Sequence, residues 1–189
     1  IINNGIPIRE RVSKTIDNMY LGKDIICYPG LFNNNNNSYG IPSMIVRSDK
    51  INLIFNKKII EDNEVHIPCL FSNKYHYIVI DIKHTKLKLD SDYNVSNNKV
   101  NKFLKSKSIL YNYCLGFMQK YLPPVSYVIS KNYSYVDKNN QKVLDTDPFS
   151  NTGYVSLEKN KNLINMAFSS IKWLHELNID GSEWNVTPP

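Results

Sequence analysis

The run Tyr75-His76-Tyr77-Ile78-Val79-Ile80-Asp81-Ile82-Lys83 constrains the fold more than any other stretch of the chain. Strand side chains alternate between faces, so Ile78, Ile80 and Ile82 share one face and Tyr77, Val79, Asp81 and Lys83 the other. Both faces are apolar until the charged pair. Such a strand needs cover on both sides, which predicts a central place in a sheet, with its last residues emerging at the edge where active sites commonly form. His76 falls on the apolar face and reads as a core residue rather than a ligand, while His84 is a candidate nucleic-acid contact.

A helix is predicted over residues 100–121, where Phe103, Leu110, Cys114, Phe117 and Tyr121 recur at helical spacing on a stripe that also holds Lys107. Pro123 and Pro124 stop it, and Val125 to Ser130 reads as a second strand, parallel to the first. The tail carries another helix, Leu163 to Leu177, with Ala167, Ile171 and Leu174 expected against the core. Upstream, a short helix is expected over Ser13 to Met19, a strand broken by Pro29 and Gly30 over Ile25 to Leu31, and a strand over Gly40 to Arg47. The run Asn33 to Asn37 is too polar for a core and is expected as a solvated loop joining two strands; Asp49 to Asn73 reads as a hairpin or excursion. The expected class is α/β, and 189 residues suit one domain better than two.

No apolar run approaches the ~20 residues that cross a membrane, so no membrane partner is expected. The chain opens on Ile1 without a charged-then-apolar leader and reads as a piece of a longer protein. Cys27, Cys69 and Cys114 are odd in number and far apart, which argues against a disulfide framework or a Cys-ligated zinc site and favours a reducing, intracellular compartment. A formal charge of +6 favours a polyanionic partner, because lysines that neutralise phosphates release condensed counterions. The plainer reading of such an excess is a solvated basic face.

Asp81 and Lys83 point the same way, and a carboxylate beside an ammonium suits metal-assisted phosphodiester cleavage. Asp81 would hold Mg²⁺ or Mn²⁺, the carbonyl of Ile82 would add an oxygen ligand, and Lys83 would orient water or steady charge on the phosphate. An isolated D-x-K is more often a salt bridge at a strand end, and spacing alone leaves both readings open.

Three segments in order, Tyr39 to Asp49, Tyr75 to Lys83 and Leu110 to Gly116, resemble successive motifs of PD-(D/E)XK nucleases of the RecB and lambda-exonuclease-like type. More narrowly, they resemble the CRISPR-adaptation-type branch found in the mimivirus virophage-resistance element. The resemblance implies a restriction-endonuclease-like core, a central mixed sheet flanked by helices. It also implies a metal-dependent deoxyribonuclease working as an exonuclease on duplex ends, and on single strands as well. For the giant-virus branch it implies virophage defence in the host cytoplasm. Two positions depart from the pattern. Ser43 stands where the family has the metal-binding Asp of its first motif, and a hydroxyl is a far poorer Mg²⁺ ligand than a carboxylate. Asp49 is a substitute ligand only if the strand reaches it. Lys107 takes the place of the Gln in a Gln-x-x-x-Tyr motif whose Tyr is matched by Tyr111; a spacing of four puts both on one helical face. The family uses that pair to place the DNA strand, and a Lys there would hold a phosphate as a point charge or else snorkel to solvent.

Lys86, Lys88, Lys99, Lys102 and Lys105 follow the D-x-K strand and would together line a DNA groove. Related nucleases often carry an iron-sulfur cluster on four cysteines; three scattered cysteines cannot supply that set, so no cluster is expected. The resemblance thus supports an Mg²⁺- or Mn²⁺-dependent nuclease, with a catalytically degenerate DNA-binding module as the alternative. A structural or interaction domain is the third reading. Oligomeric state stays open, with a homodimer favoured.

Overall fold

The computed structural model describes residues 5–137 and 141–181. Its elements in chain order are α1 (Ile8–Tyr20), β1 (Ile25–Cys27), β2 (Leu31–Asn33), β3 (Ser38–Gly40), β4 (Met44–Arg47), α2 (Ser48–Ile51), α3 (Asp62–Val65), β5 (Tyr77–Lys88), α4 (Lys99–Gln119), β6 (Val125–Val136), β7 (Lys142–Asp145), β8 (Gly153–Ser156) and, after a 3-10 turn at Glu158–Asn160, α5 (Lys161–Asp180). The main sheet runs β1-β4-β5-β6, and the far edge of β6 carries β8 along its first half and β7 along its second. Strands β5 and β6 are parallel and joined by α4, whereas the other pairs are antiparallel. The class is α/β, a central mixed sheet flanked by helices.

Strand β5 has the two covered faces that its alternation requires. Tyr77 and Val79 meet Met19 of α1 and Tyr111, Cys114 and Leu115 of α4. Ile78 and Ile80 meet Ile51, Phe55, Ile60 and Val65, so the expected excursion packs as two short helices and loops on the opposite face rather than as a hairpin. The strand continues to Lys88, which leaves Asp81 and Lys83 within it rather than at its end. They still lie at a local edge, because β4 begins at Met44 opposite Ile80 and β5 beyond that point has β6 as its only flanking strand among the described residues. His76 is buried as expected. Its Nδ1 lies 3.2 Å from the Ile67 carbonyl, its ring packs against Tyr121 at a tilt of 60°, and burial lowers its pKa to about 4.

The asparagine run does join two strands. It forms the turn of the β2–β3 hairpin, where Asn33 Oδ1 accepts from Asn35 N and Asn36 Oδ1 from Ser38 N, side chains standing in for backbone acceptors. Helix α1 starts at Ile8 rather than Ser13, and the strand expected from Gly40 is split by Ile41 and Pro42 into β3 and β4.

Two helix faces differ from expectation. The buried side of α4 carries Asn101, Lys105, Ser108, Asn112 and Gln119 together with Ile109, Tyr111, Cys114 and Leu115; of the expected stripe Cys114 is buried, whereas Phe103 is 75% exposed. Those buried polar groups have hydrogen-bond partners, save for the Oδ1 atom of Asn112. Ser108 Oγ meets Ser126 Oγ at 2.8 Å, Asn112 Nδ2 donates to the Pro123 carbonyl, and Gln119 bridges the backbone N–H and C=O of Tyr77. Hydropathy alone misassigns such a face, since a polar side chain with its partners in place costs little to bury. In α5 no residue is fully buried and Leu174 is 55% exposed, so Ala167, Ile171 and Leu174 do not enter the core. No helix among the described residues is long and apolar enough to cross a membrane.

Candidate functional site at the β4 and β5 junction

The chain just before β4 and the middle of β5 bring Ser43 and Asp81 side by side. Ser43 Oγ donates to Asp81 Oδ1 at 2.8 Å, and Ser43 N approaches the same oxygen at 3.3 Å. The hydroxyl in turn accepts from the backbone N–H of Ile82 at 2.9 Å. Lys83 Nζ holds the other carboxylate oxygen, Asp81 Oδ2, at 2.7 Å, the salt bridge of the plainer reading. Asp81 is buried, whereas Ile82 is half exposed. The Ser43 carbonyl is fixed from behind by the N–H of Tyr28, whose φ of 52° turns the chain between β1 and β2 toward it.

Helix α4 supplies the remaining predicted members. Tyr111 is a core residue whose ring lies against Gly40, so closely that a Cβ at Gly40 would overlap it. Lys107 stands one turn earlier, its Nζ 5.5 Å from the Tyr111 ring centre. A hydrogen bond to Tyr111 raises the Lys107 pKa, with the nearby Asp81 carboxylate adding to the effect against the cost of burial. Ser43, Asp81, Ile82 and Lys83 are thus joined by hydrogen bonds and an ion pair, while Lys107 is near enough to respond to the Asp81 carboxylate and Tyr111 stands against Gly40.

The lysines predicted to line a groove do not form one surface with this site. Alternation sends Leu87 into the core with Ile109 of α4 and turns the exposed Lys86 and Lys88 to the opposite face. Lys102 is exposed, but five helical positions place it about 140° around α4 from Lys107. Lys105 must be corrected outright. It is 3% exposed, and its Nζ donates to Asn97 Oδ1 at 2.6 Å and Asn160 Oδ1 at 3.1 Å, so it cannot reach a DNA backbone at the surface. Asp49 is no substitute ligand either. It lies in α2, where both carboxylate oxygens take hydrogen bonds from Arg47 at 2.9 and 2.7 Å. Sequence reasoning missed Gly40, whose Tyr-Gly-Ile-Pro context signalled a turn but not a close approach.

The donor set is a poor fit to a hard divalent cation. One carboxylate is present, both its oxygens are engaged, the hydroxyl beside it is donating, and two ammonium groups leave the cluster at a formal +1. Among the described residues no three His, Cys, Asp or Glu side chains converge as a ligand set. The same arrangement suits an anion, with Lys83 and Lys107 as its cationic side. The chain matches no protein-family model and no curated protein.

Proposed function

We propose that this chain is a nuclease-fold domain of the PD-(D/E)XK, RecB and lambda-exonuclease-like type that grips the DNA backbone without cutting it. The observation that carries this reading is the state of Asp81: Ser43 and Lys83 satisfy both its oxygens, and Lys107 leaves positive charge in excess. A phosphate would sit on the Lys83 and Lys107 side without needing a metal to offset repulsion between carboxylates. Lys83→Ala and Lys107→Gln test it. Each is expected to weaken binding to a short duplex by roughly 3- to 10-fold and to reduce the salt slope by about 1. Unchanged affinity and slope in both variants would refute it.

The second reading is an active Mg²⁺- or Mn²⁺-dependent deoxyribonuclease, favoured by one observation. Asp81 and Lys83 share a face at a point that β4 leaves open, with the backbone carbonyl of Ile82 between them. That reading requires metal-stimulated product formation by the chain as it stands, abolished by Asp81→Ala. DNA as partner rests on the resemblance in sequence together with the basic charge, the giant-virus setting rests on the resemblance alone, and the homodimer is a leaning with oligomeric state open.

A further inference from the structure

Lys105 is the most unusual charge in the molecule. It lies in the face of α4 that packs on the protein, is 3% exposed, and has carboxamide oxygens rather than carboxylates as its hydrogen-bond partners. An ammonium buried with no carboxylate in hydrogen-bond contact is costly, and burial lowers its pKa against a weaker opposing pull from Asp90. Its two partners, Asn97 and Asn160, both line an open cleft of about 580 Å³ between the start of α4 and the junction of the 3-10 turn with α5. The rim carries Lys102, Lys159 and Lys161 against the single carboxylate of Glu158. Lys159 is also bound to Asp92 at 2.7 Å. Asn160 fixes the floor, donating through Nδ2 to the Ser156 carbonyl at 2.7 Å while its oxygen faces Lys105.

We infer that this cleft binds a phosphate-bearing ligand of up to nucleotide size, with Lys102 and Lys161 contacting the oxyanion and buried Lys105 supplying the charge beneath it. An anion there would complete the electrostatics that the two asparagines only partly satisfy, through charge-assisted hydrogen bonds at the rim. Lys102 and Lys107 project from different sides of α4, so this is a site apart from the β4–β5 junction and does not depend on that site's function.

The test is calorimetric titration of the chain with pyrophosphate and with ADP, repeated on a Lys83→Ala background so that anions held at β5 are counted separately. Saturable binding is expected in both backgrounds, weakened tenfold or more by Lys102→Glu with Lys161→Glu, which alter exposed side chains and leave the fold intact. Lys105→Met is expected to fold, because it replaces an unbalanced buried charge with a similar volume, and to lose the binding. Competition by a 12-base-pair duplex would identify a nucleic-acid backbone as the source of the phosphate, and its absence a free ligand. No saturable binding, or equal binding by the charge-reversed variant, would overturn the inference.

Discussion

Asp81→Asn separates the two readings of the site with one side chain. It keeps the shape that Ser43 and Lys83 contact and removes the negative charge. A site that grips phosphate through Lys83 and Lys107 should bind duplex DNA several-fold more tightly after this change, as read by fluorescence anisotropy, since about 1 kcal/mol of local repulsion is about fivefold in affinity. A metal-dependent nuclease would instead lose its only carboxylate ligand and its products. Gly40 tests the support beneath. Gly40→Ala drives a methyl into the Tyr111 ring and should cost roughly 1–3 kcal/mol in urea unfolding. It should also weaken DNA binding, by displacing the ring beside which Lys107 stands. Residue types and order made Asp81, Lys83 and Tyr111 legible in the sequence. The contact with Gly40, the hydroxyl bridge from Ser43 to Ile82 and the burial of Lys105 were not, because each depends on where a neighbouring element stops or packs.

Helices α4 and α5 depart in part from what hydropathy says about them. The polar seam of α4 is structural, so Gln119→Ala should cost at least about 1–3 kcal/mol by stranding the Tyr77 N–H and C=O in the core. Leu174→Ser in α5 should change stability by less than about 0.5 kcal/mol. Guanidinium unfolding of the two variants checks both. Where β5 begins, His76 sets an acid limit. Its pKa falls from an ordinary 6.5 to about 4 on folding, so the folded state resists a proton that the unfolded chain accepts. Its contribution is therefore complete above pH 6.5 and lost as the pH falls toward 4, at most about 3 kcal/mol. Unfolding midpoints at pH 7 and pH 4.5 should converge in His76→Phe relative to the unsubstituted chain. A helix that buries polar and apolar side chains together is oriented only in part by apolar periodicity, which is why the parallel strands around α4 were readable while of its expected stripe Cys114 is buried and Phe103 is not.

At the scale of the whole molecule, the two-faced apolar run of β5 and the proline stop after α4 carry the topology, and both are visible in the sequence. Strands β7 and β8 left no comparable signal. The first is a half-exposed edge strand, and the second is a four-residue strand held by pairing with the start of β6, so their form is imposed by β6 rather than by their own pattern. The +6 charge is likewise spread over several faces, with Lys86 and Lys88 on one, Lys102 on another and Lys105 inside. DNA affinity should therefore fall with salt, but with a slope set by a few contacts rather than by the whole excess. The most direct test of a phosphate grip without metal is a matched assay on end-labelled duplex DNA in Mg²⁺, Mn²⁺ or EDTA, with bound fraction and cleavage products read from the same samples. The account predicts binding in all three conditions that is no weaker in EDTA than in either metal, no products from this chain, and metal-dependent products once Ser43→Asp adds a second carboxylate beside Asp81. Metal-dependent cleavage by the unsubstituted chain, or binding that EDTA abolishes, would contradict it.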